Sequence, residues 1–411
     1  LEKDLRKLSK ENDSLMQQHR VLYFGCGKWQ KQISSRLKSE GISVTVFCPE
    51  ASDDADLKCD LRAVEKIGKF VSSHSFSHLF CDSAESGVLA ASKVGSMTGA
   101  QALPGLVKPE IFTDKLALRD FCREERISQP RFWRPESHPP IDFLASIGVR
   151  RLVRKPQVGQ GSQDVEIFGL EDYSSKTGSS RLLEEFIEGQ EFTVEVLTLA
   201  GNSEVLAVSK KSRNASNPAV SDGLLFCADP KSWPSSIVEL CLEFIEKAGV
   251  KNAILHAEII LATDGSPYLI EIAARGGGTG IYPTALELLT GRDVVGELTD
   301  SFLGTSIARR RTSPFTGRLF LGFLRFGEGL VTGLGQKPVP SKCLIDFGLR
   351  LREGEATPSL DSDTSRHAYF WIAGETSAEI SDEVEALLES VNVEIDGNVV
   401  RGELMAEPNW I

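Results

Sequence analysis

The chain has 411 residues, 41% apolar and 25% charged, with a net charge of −12. That length leaves room for two or three domains of about 150 residues. The acidic balance, without a long Lys/Arg run, disfavours a nucleic-acid partner, which would need a basic stripe. No apolar run reaches the ~18 residues of a membrane span and no signal peptide stands out, so a cytoplasmic protein without a membrane partner is expected. The cysteines (Cys26, Cys48, Cys59, Cys81, Cys122, Cys227, Cys241 and Cys343) show neither CxxC nor zinc spacing. They are expected to be free thiols in a reducing compartment.

Residues 1–20 read as a polar helix with Leu1, Leu5, Leu8 and Leu15 in heptad spacing and Asn12 in register. Such a helix either docks on its own domain or forms the seam of a homodimer. From Val21, apolar strands ("RVLYF", "ISVTVFCPE", "HLFCD") alternate with helices, two of them around 61–71 and 86–94. That alternation predicts a parallel sheet with crossover helices. "GCGKWQ" is either a tight strand-to-helix turn or a dinucleotide-binding turn lacking its third glycine. "SQPRFWRPESHPP" marks a boundary. Beyond it "VRRLVRKPQVGQGSQDVEIFG" reads as strand, glycine loop and strand, and "RLLEEFIEGQEFTVEVLTL" as two more strands. Residues 209–230 are polar and broken by Asn, Pro and Gly, which predicts a long mobile loop. A helix over 237–248 precedes two strands, "NAILHAEIILA" and "PYLIEIAAR", joined by "TDGS". From Arg309, short strands and glycine turns lead to a closing helix, "AEISDEVEALLESV".

The two strands around "TDGS" carry the sharpest signal. If Asp264 and Gly265 centre a two-residue type I′ turn, Glu258 and Glu271 stand directly opposite each other on one face. Like charges so placed repel, and both strands are otherwise apolar, so a cation is expected between them. Oxygen ligands on a rigid sheet suit Mg²⁺ shared with substrate phosphates, and a structural arginine or an intervening bulge is the alternative. Arg275 and Gly276–Gly277–Gly278 follow at once and could clamp an anion. Lys155, beside Gly159 and Gly161, fits a phosphate-contacting lysine under a glycine lid, though an ordinary turn competes. In "LLEEFIEGQEF", Glu184 and Phe186 share one strand face and Glu185 and Ile187 the other. Backbone groups of Glu185 and Ile187 could meet an adenine edge, and Glu191 could accept from ribose hydroxyls. His256 shares the Glu258 face, either as a satisfied sheet histidine or as a catalytic one; Asp82 and Glu85 are further substrate-site candidates.

Four blocks in order, "FTDKLALRDFCREERISQP", "RLVRKPQVGQGSQDV", "LLEEFIEGQEFTVEV" and "LHAEIILATDGSPYLIEIAARGGG", resemble the ATP-grasp superfamily of carboxylate–amine ligases. "IEIAARGGG" and the tail resemble its L-amino-acid (dipeptide) ligase branch. After the helix 1–20, the resemblance implies a mixed α/β fold: a Rossmann-like parallel α/β pre-ATP-grasp domain at 21–112, a two-subdomain ATP-grasp domain at 113–308 with its lid at about 145–207, and a small C-terminal α+β domain at 309–411. It implies ATP and Mg²⁺ (Mn²⁺ as substitute) as cofactors, and small-molecule carboxylate and amine substrates joined through an acyl phosphate with release of ADP and phosphate. Lys115, Lys155, Gly159, Gly161 and Ser162 would meet the nucleotide phosphates. Glu184, Glu185, Phe186 and Ile187 would form the adenine hinge, Glu191 would bind ribose, and Glu258 and Glu271 would bind the metal. Arg275 would steady the acyl phosphate, with Gly276, Gly277, His256 and Glu85 nearby, and Lys210 or its neighbour Lys211 would be the loop lysine. The chain departs from the family where an asparagine commonly supplies a further metal ligand; Ala273 stands there. A biotin-carboxylase-like or purine-pathway enzyme, or a nucleotide-binding regulator without chemistry, are the competing readings.

Overall fold

The computed structural model describes residues 19–48, 56–159, 161–173, 181–213, 219–306, 309 and 311–405. The helix expected at 1–20, and the dimer seam with it, lies almost wholly outside them. Arg20–Phe24 pairs in parallel with Ser43–Cys48 on one side and His78–Phe80 on the other. Leu57–Lys58 and Gln101–Leu103 form the edges of this sheet. Its central residues Val21, Leu22 and Tyr23 are fully buried, as a strand covered on both faces by crossover helices requires. "GCGKWQ" is the tight turn into the helix Lys28–Ser39. Lys28 Nζ reaches Asp346 (2.9 Å) and the Tyr369 hydroxyl (2.7 Å), so this turn helps to dock the C-terminal strands.

The large sheet is built on alternation. Gly189–Leu199 lies between Ala253–Ala262 and Asn202–Arg213, and Pro267–Ala273 completes one edge. Val194, Val196, Leu255, Ala257, Ile259 and Ile272 face a core shared with Val88, Phe121 and Phe244. The intervening residues Glu191, Thr193, Glu195, His256, Glu258 and Glu271 therefore share the opposite face. The same sheet continues through Ser221–Cys227 into Arg318–Arg325, Ala368–Gly374 and Leu344–Leu349. Across the cavity stands a four-stranded antiparallel sheet: Phe132–Trp133, Leu182–Glu185, Arg151–Lys155 and Glu166–Gly169. It has a small core of its own, Leu144, Val149, Leu152, Tyr173 and Leu183.

Four expectations need correction. Residues 209–230 are not one loop, because Asn202–Arg213 and Ser221–Cys227 are paired strands. One face of the first turns toward the polar site, so its sequence reads as loop. Cys26 and Cys48 form a disulfide, with 5.8 Å between their Cα atoms; the Phe24–Phe47 register sets the two strand ends side by side, which no spacing rule reveals. The other six cysteines are free thiols. The closing helix, Ser377–Ser390, is followed by a hairpin, Asn392–Ile395 and Asn398–Arg401.

The fourth correction concerns the turn between the glutamates. The Ala262 N–H donates to the Ser266 carbonyl and the Gly265 N–H to the Ala262 carbonyl, both at 2.9 Å. The loop is thus Thr263–Asp264–Gly265, with Gly265 at φ +86°, rather than a two-residue type I′ turn. Alone it would leave Glu258 and Glu271 one residue out of register. A bulge at Ile270 restores the pairing: Ile259 faces Leu269, while Glu258 faces Glu271.

Candidate functional site

A cavity of about 410 Å³ lies between the two antiparallel sheets, and Glu258 and Glu271 line its floor. The cations that such a pair demands are two lysines. Lys211 Nζ is 3.1 Å from Glu258, and Lys115 Nζ is 3.5 Å from Glu271. Asp114 caps the helix Lys115–Glu124 by accepting from the Leu116 and Ala117 amides, which fixes Lys115 in the first turn. Lys115 Nζ also donates to the Gly159 carbonyl at 2.7 Å. Burial would raise the Glu258 carboxyl, but Lys211 and His256 hold it well below its usual range. His256 in turn donates from Nδ1 to the fully buried Glu195 at 2.5 Å. Burial opposes the imidazolium, yet Glu195 and Glu258 lift its pKa to about 9. Ala273, facing His256 across the strands, offers no ligand. Among the described residues no three His, Cys, Asp or Glu side chains converge into a closed metal cage. Two facing carboxylates beside room for phosphate oxygens fit Mg²⁺, which takes few protein ligands.

Other predicted residues take unexpected partners. Glu184 is buried against Arg119 (2.7 Å) and Lys155 (2.8 Å). Burial alone would raise it, and the two cations more than reverse this, to about 2. Glu184 thus anchors Lys155 rather than offering its carboxylate to adenine. The Glu185 amide is spent on the Arg131 carbonyl (2.9 Å) and its carboxylate on the Arg131 guanidinium, so neither serves a ligand freely. Phe186 and Ile187 both line the cavity, with Arg151 4.0 Å from the Phe186 ring centroid. Glu191 has both oxygens engaged, by Lys211 (2.7 Å) and Arg213 (2.8 Å). Gly159, Gly161 and Ser162 line the roof, and the Gly161 carbonyl accepts from the Asp363 amide at 2.9 Å.

Arg275 lines the cavity and donates to Glu85 at 3.3 Å; Glu85 itself is not in the lining. The Gly276 N–H is committed to the Asp82 carbonyl (2.8 Å), so it is not an anion donor. A Cβ at Gly276 would lie 2.4 Å from Tyr282, and one at Gly277 2.8 Å from Ile281, so both glycines serve packing. Asp82 accepts from the Tyr23 and Tyr282 hydroxyls, each at 2.9 Å, and is likewise structural. Lys210 shares the face of Phe192 and is outside the cavity, whereas its neighbour Lys211 points in. Lys211→Met is expected to lower any nucleotide turnover about 30-fold by leaving Glu191 and Glu258 without their shared cation, and Lys210→Met to change it less than about twofold. Parallel assays of the two variants decide which lysine matters.

Sequence reasoning missed Arg119, Arg213, Arg350 and Arg366. Arg119 shares its block with Lys115, and no local pattern marks it. Arg350 and Arg366 flank the connection between the strands Leu344–Leu349 and Ala368–Gly374, far in sequence from the motifs, and the continuous sheet brings them to the cavity.

Residues 139–282 match the ATP-grasp domain family. No curated protein matches the sequence. Among solved structures, the L-amino acid ligase of Bacillus licheniformis superposes with a TM-score of 0.73 at 18% identity, over 92% of this chain and 99% of that one. Phosphoribosylglycinamide synthetase of Anaerococcus prevotii gives 0.70 at 14%, over 92% and 100%. The biotin carboxylase domain of the Hydrogenobacter thermophilus 2-oxoglutarate carboxylase, solved with MgADP and bicarbonate, gives 0.68 at 15%, over 95% and 94%. Identities this low establish shared architecture and no more. Over residues 139–282 the chain is similar to the ATP-grasp domain, and as a whole it shares the fold of these solved ligases and carboxylases.

Proposed function

We propose that this chain is an ATP- and Mg²⁺-dependent ligase that joins a carboxylic acid to an amine, with amino acids as the substrate class. The observation that carries the reading is the facing pair Glu258 and Glu271, ringed by Lys115, Lys155 and Lys211 in a cavity roofed by a glycine loop. The amino-acid class is taken from the likeness to the Bacillus licheniformis ligase and from the "IEIAARGGG" pattern.

ATP fits with its base against Phe186 and Ile187 and its phosphates beneath Gly159, Gly161 and Ser162. Lys115 and Lys155 donate to the phosphate oxygens. Glu258 and Glu271 would hold Mg²⁺, which would supply charge neutralisation at the transferred phosphoryl group. A carboxylate oxygen of the first substrate attacks the γ-phosphorus, the bond to the β-phosphate oxygen breaks, and ADP leaves. Arg275 steadies the resulting acyl phosphate. The amine then attacks the acyl carbon and phosphate departs, with the amine's proton lost to phosphate or water. The protein positions the reactants and stabilises charge, with no covalent nucleophile of its own. The lid sheet, with its separate core, closes over the intermediate and keeps water from hydrolysing it.

The test is ADP release across amino acids and small carboxylic acids, singly and in pairs, with product masses measured. An acid–amine pair should release ADP and yield a product of their summed mass less one water. Nucleotide binding without turnover in any combination would instead identify a regulator. Turnover restricted to bicarbonate would favour the carboxylase-like alternative.

A further inference from the structure

The glycine roof is held from two sides. On one, Lys115 Nζ donates to the Gly159 carbonyl at 2.7 Å and the Lys115 amide to the Gln157 carbonyl at 2.9 Å. On the other stands Asp363, from the connection between the strands Leu344–Leu349 and Ala368–Gly374. Its amide donates to the Gly161 carbonyl at 2.9 Å, and its Oδ2 accepts from the Ser162 hydroxyl at 3.4 Å. Its Oδ1 accepts from the Ser221 amide at 3.3 Å and from the Arg366 guanidinium. Its carbonyl accepts from Arg350 at 3.3 Å, and Arg350 donates in turn to the Thr279 hydroxyl at 3.1 Å. Asp363 thus joins the roof to the large sheet and, through Arg350, to the segment that follows the second glutamate strand.

Two features say what this junction is for. The first is the backbone of the roof. Gly161, Ser162 and Asp164 have φ of +66°, +59° and +56°. A non-glycine residue in that region is strained and persists only where its surroundings fix it. Asp363 supplies fixing contacts at Gly161 and Ser162. The second is charge. A carboxylate in the lining of a phosphate site repels its ligand. Asp363 lines the cavity, but Arg366, only 6% exposed, neutralises it. Its oxygens can therefore hold the roof without opposing the phosphates. We propose that Asp363 is a positioning residue, the latch of the glycine roof: it keeps Gly161 and Ser162 over the nucleotide phosphates, and nucleotide exchange waits on the breaking of its contacts. This rests on the ATP-dependent reading above. It adds that the C-terminal connection, far in sequence from the nucleotide motifs, sets how long the nucleotide and the acyl phosphate are shielded from water.

The experiment follows release of N-methylanthraniloyl-ADP with Mg²⁺ from the full chain, chased by excess ADP in stopped flow. Asp363→Ala should speed release about 30-fold and raise the KM for ATP about tenfold. Asp363→Asn, whose amide can still meet Ser162, Ser221 and Arg366, should recover most of that difference. Asp361→Ala, at an exposed residue of the same connection, should stay within about twofold of the wild-type protein. With an acid and an amine present, Asp363→Ala should form more ADP than amide, because water reaches the acyl phosphate. Should Asp363→Ala not fold, because Arg366 is then buried without its partner, the double variant Asp363→Ala/Arg366→Met leaves no unpaired charge and carries the same test. Release within about twofold of wild type in the folded variants overturns this inference and leaves the ligase reading standing. So does an equal acceleration in Asp361→Ala, which would make the effect a general loosening. Faster release in Asp363→Ala, with no amide from any acid–amine pair in the wild-type protein, supports the latch and overturns the ligase reading. No binding of this nucleotide, or of ATP by calorimetry, overturns both.

Discussion

Glu271→Gln is expected to lower ATP turnover about 1,000-fold while leaving the fold in place. Among the described residues Glu271 forms one ion pair, with Lys115 at 3.5 Å, and its side chain is 30% exposed. An isosteric amide there disturbs neither the strand pairing nor a buried ion pair, so the melting temperature should move by no more than about 2 °C. What it removes is one of the two hard oxygen ligands on the cavity floor. Ala273 supplies no substitute, so the loss should not be buffered as it would be with a third ligand nearby. Glu258→Gln provides the contrast. Glu258 neutralises Lys211 and lies close to the His256 imidazolium, so its loss should cost stability as well as turnover. ADP release and thermal melts on the two variants measure this. Full turnover in Glu271→Gln would remove the carboxylate pair from the mechanism.

The Glu258–Glu271 pairing was legible in the sequence because strand geometry has few free parameters: two apolar strands, a short turn and a period of two put them face to face. Yet two errors cancelled. The turn holds three residues rather than two, and the Ile270 bulge, invisible in sequence, made up the difference. Lys155 and the glycine roof were legible for a similar reason, since a loop between two apolar strands announces itself. Partners were not. Nothing in "LLEEF" says that Glu184 answers to Arg119 and Lys155, because those contacts join three separate segments. The strand containing Lys211 reads as loop in sequence, since the polar face that makes it a site also erases the apolar signature of a strand. Arg350 and Arg366 lie beyond the reach of local pattern, because the crossing of the large sheet into Arg318–Arg325 and Ala368–Gly374 is a long-range event.

Arg119→Met should be the most destabilising of the single substitutions considered, by about 3–5 kcal/mol. Arg119 is fully buried and ties three elements together. It pairs with Glu184 of the lid sheet, and it donates to the Leu269 (3.1 Å) and Ile270 (2.8 Å) carbonyls beside the bulge. A bulge leaves backbone groups without ladder partners, and a buried carbonyl so left must find a donor. Arg119 is that donor, so it stabilises the irregularity that sets Glu271 opposite Glu258. Methionine fills the volume but abandons both carbonyls and leaves Glu184 to Lys155. Arg123→Met, at a 58%-exposed arginine on the same helix, should shift stability by no more than about 0.5 kcal/mol. Urea midpoints compare the two. Acid adds a second readout. Glu184 titrates at about 2 in the fold against 4.5 when unperturbed, so its stabilisation is complete above 4.5 and is lost as pH falls toward 2. Without Arg119, burial goes half-answered, the folded pKa rises, and acid unfolding should begin at a higher pH than in the wild-type protein. Equal urea midpoints and equal acid transitions would mean that the bulge holds without Arg119, and that the register of the two glutamates is set by strand packing alone.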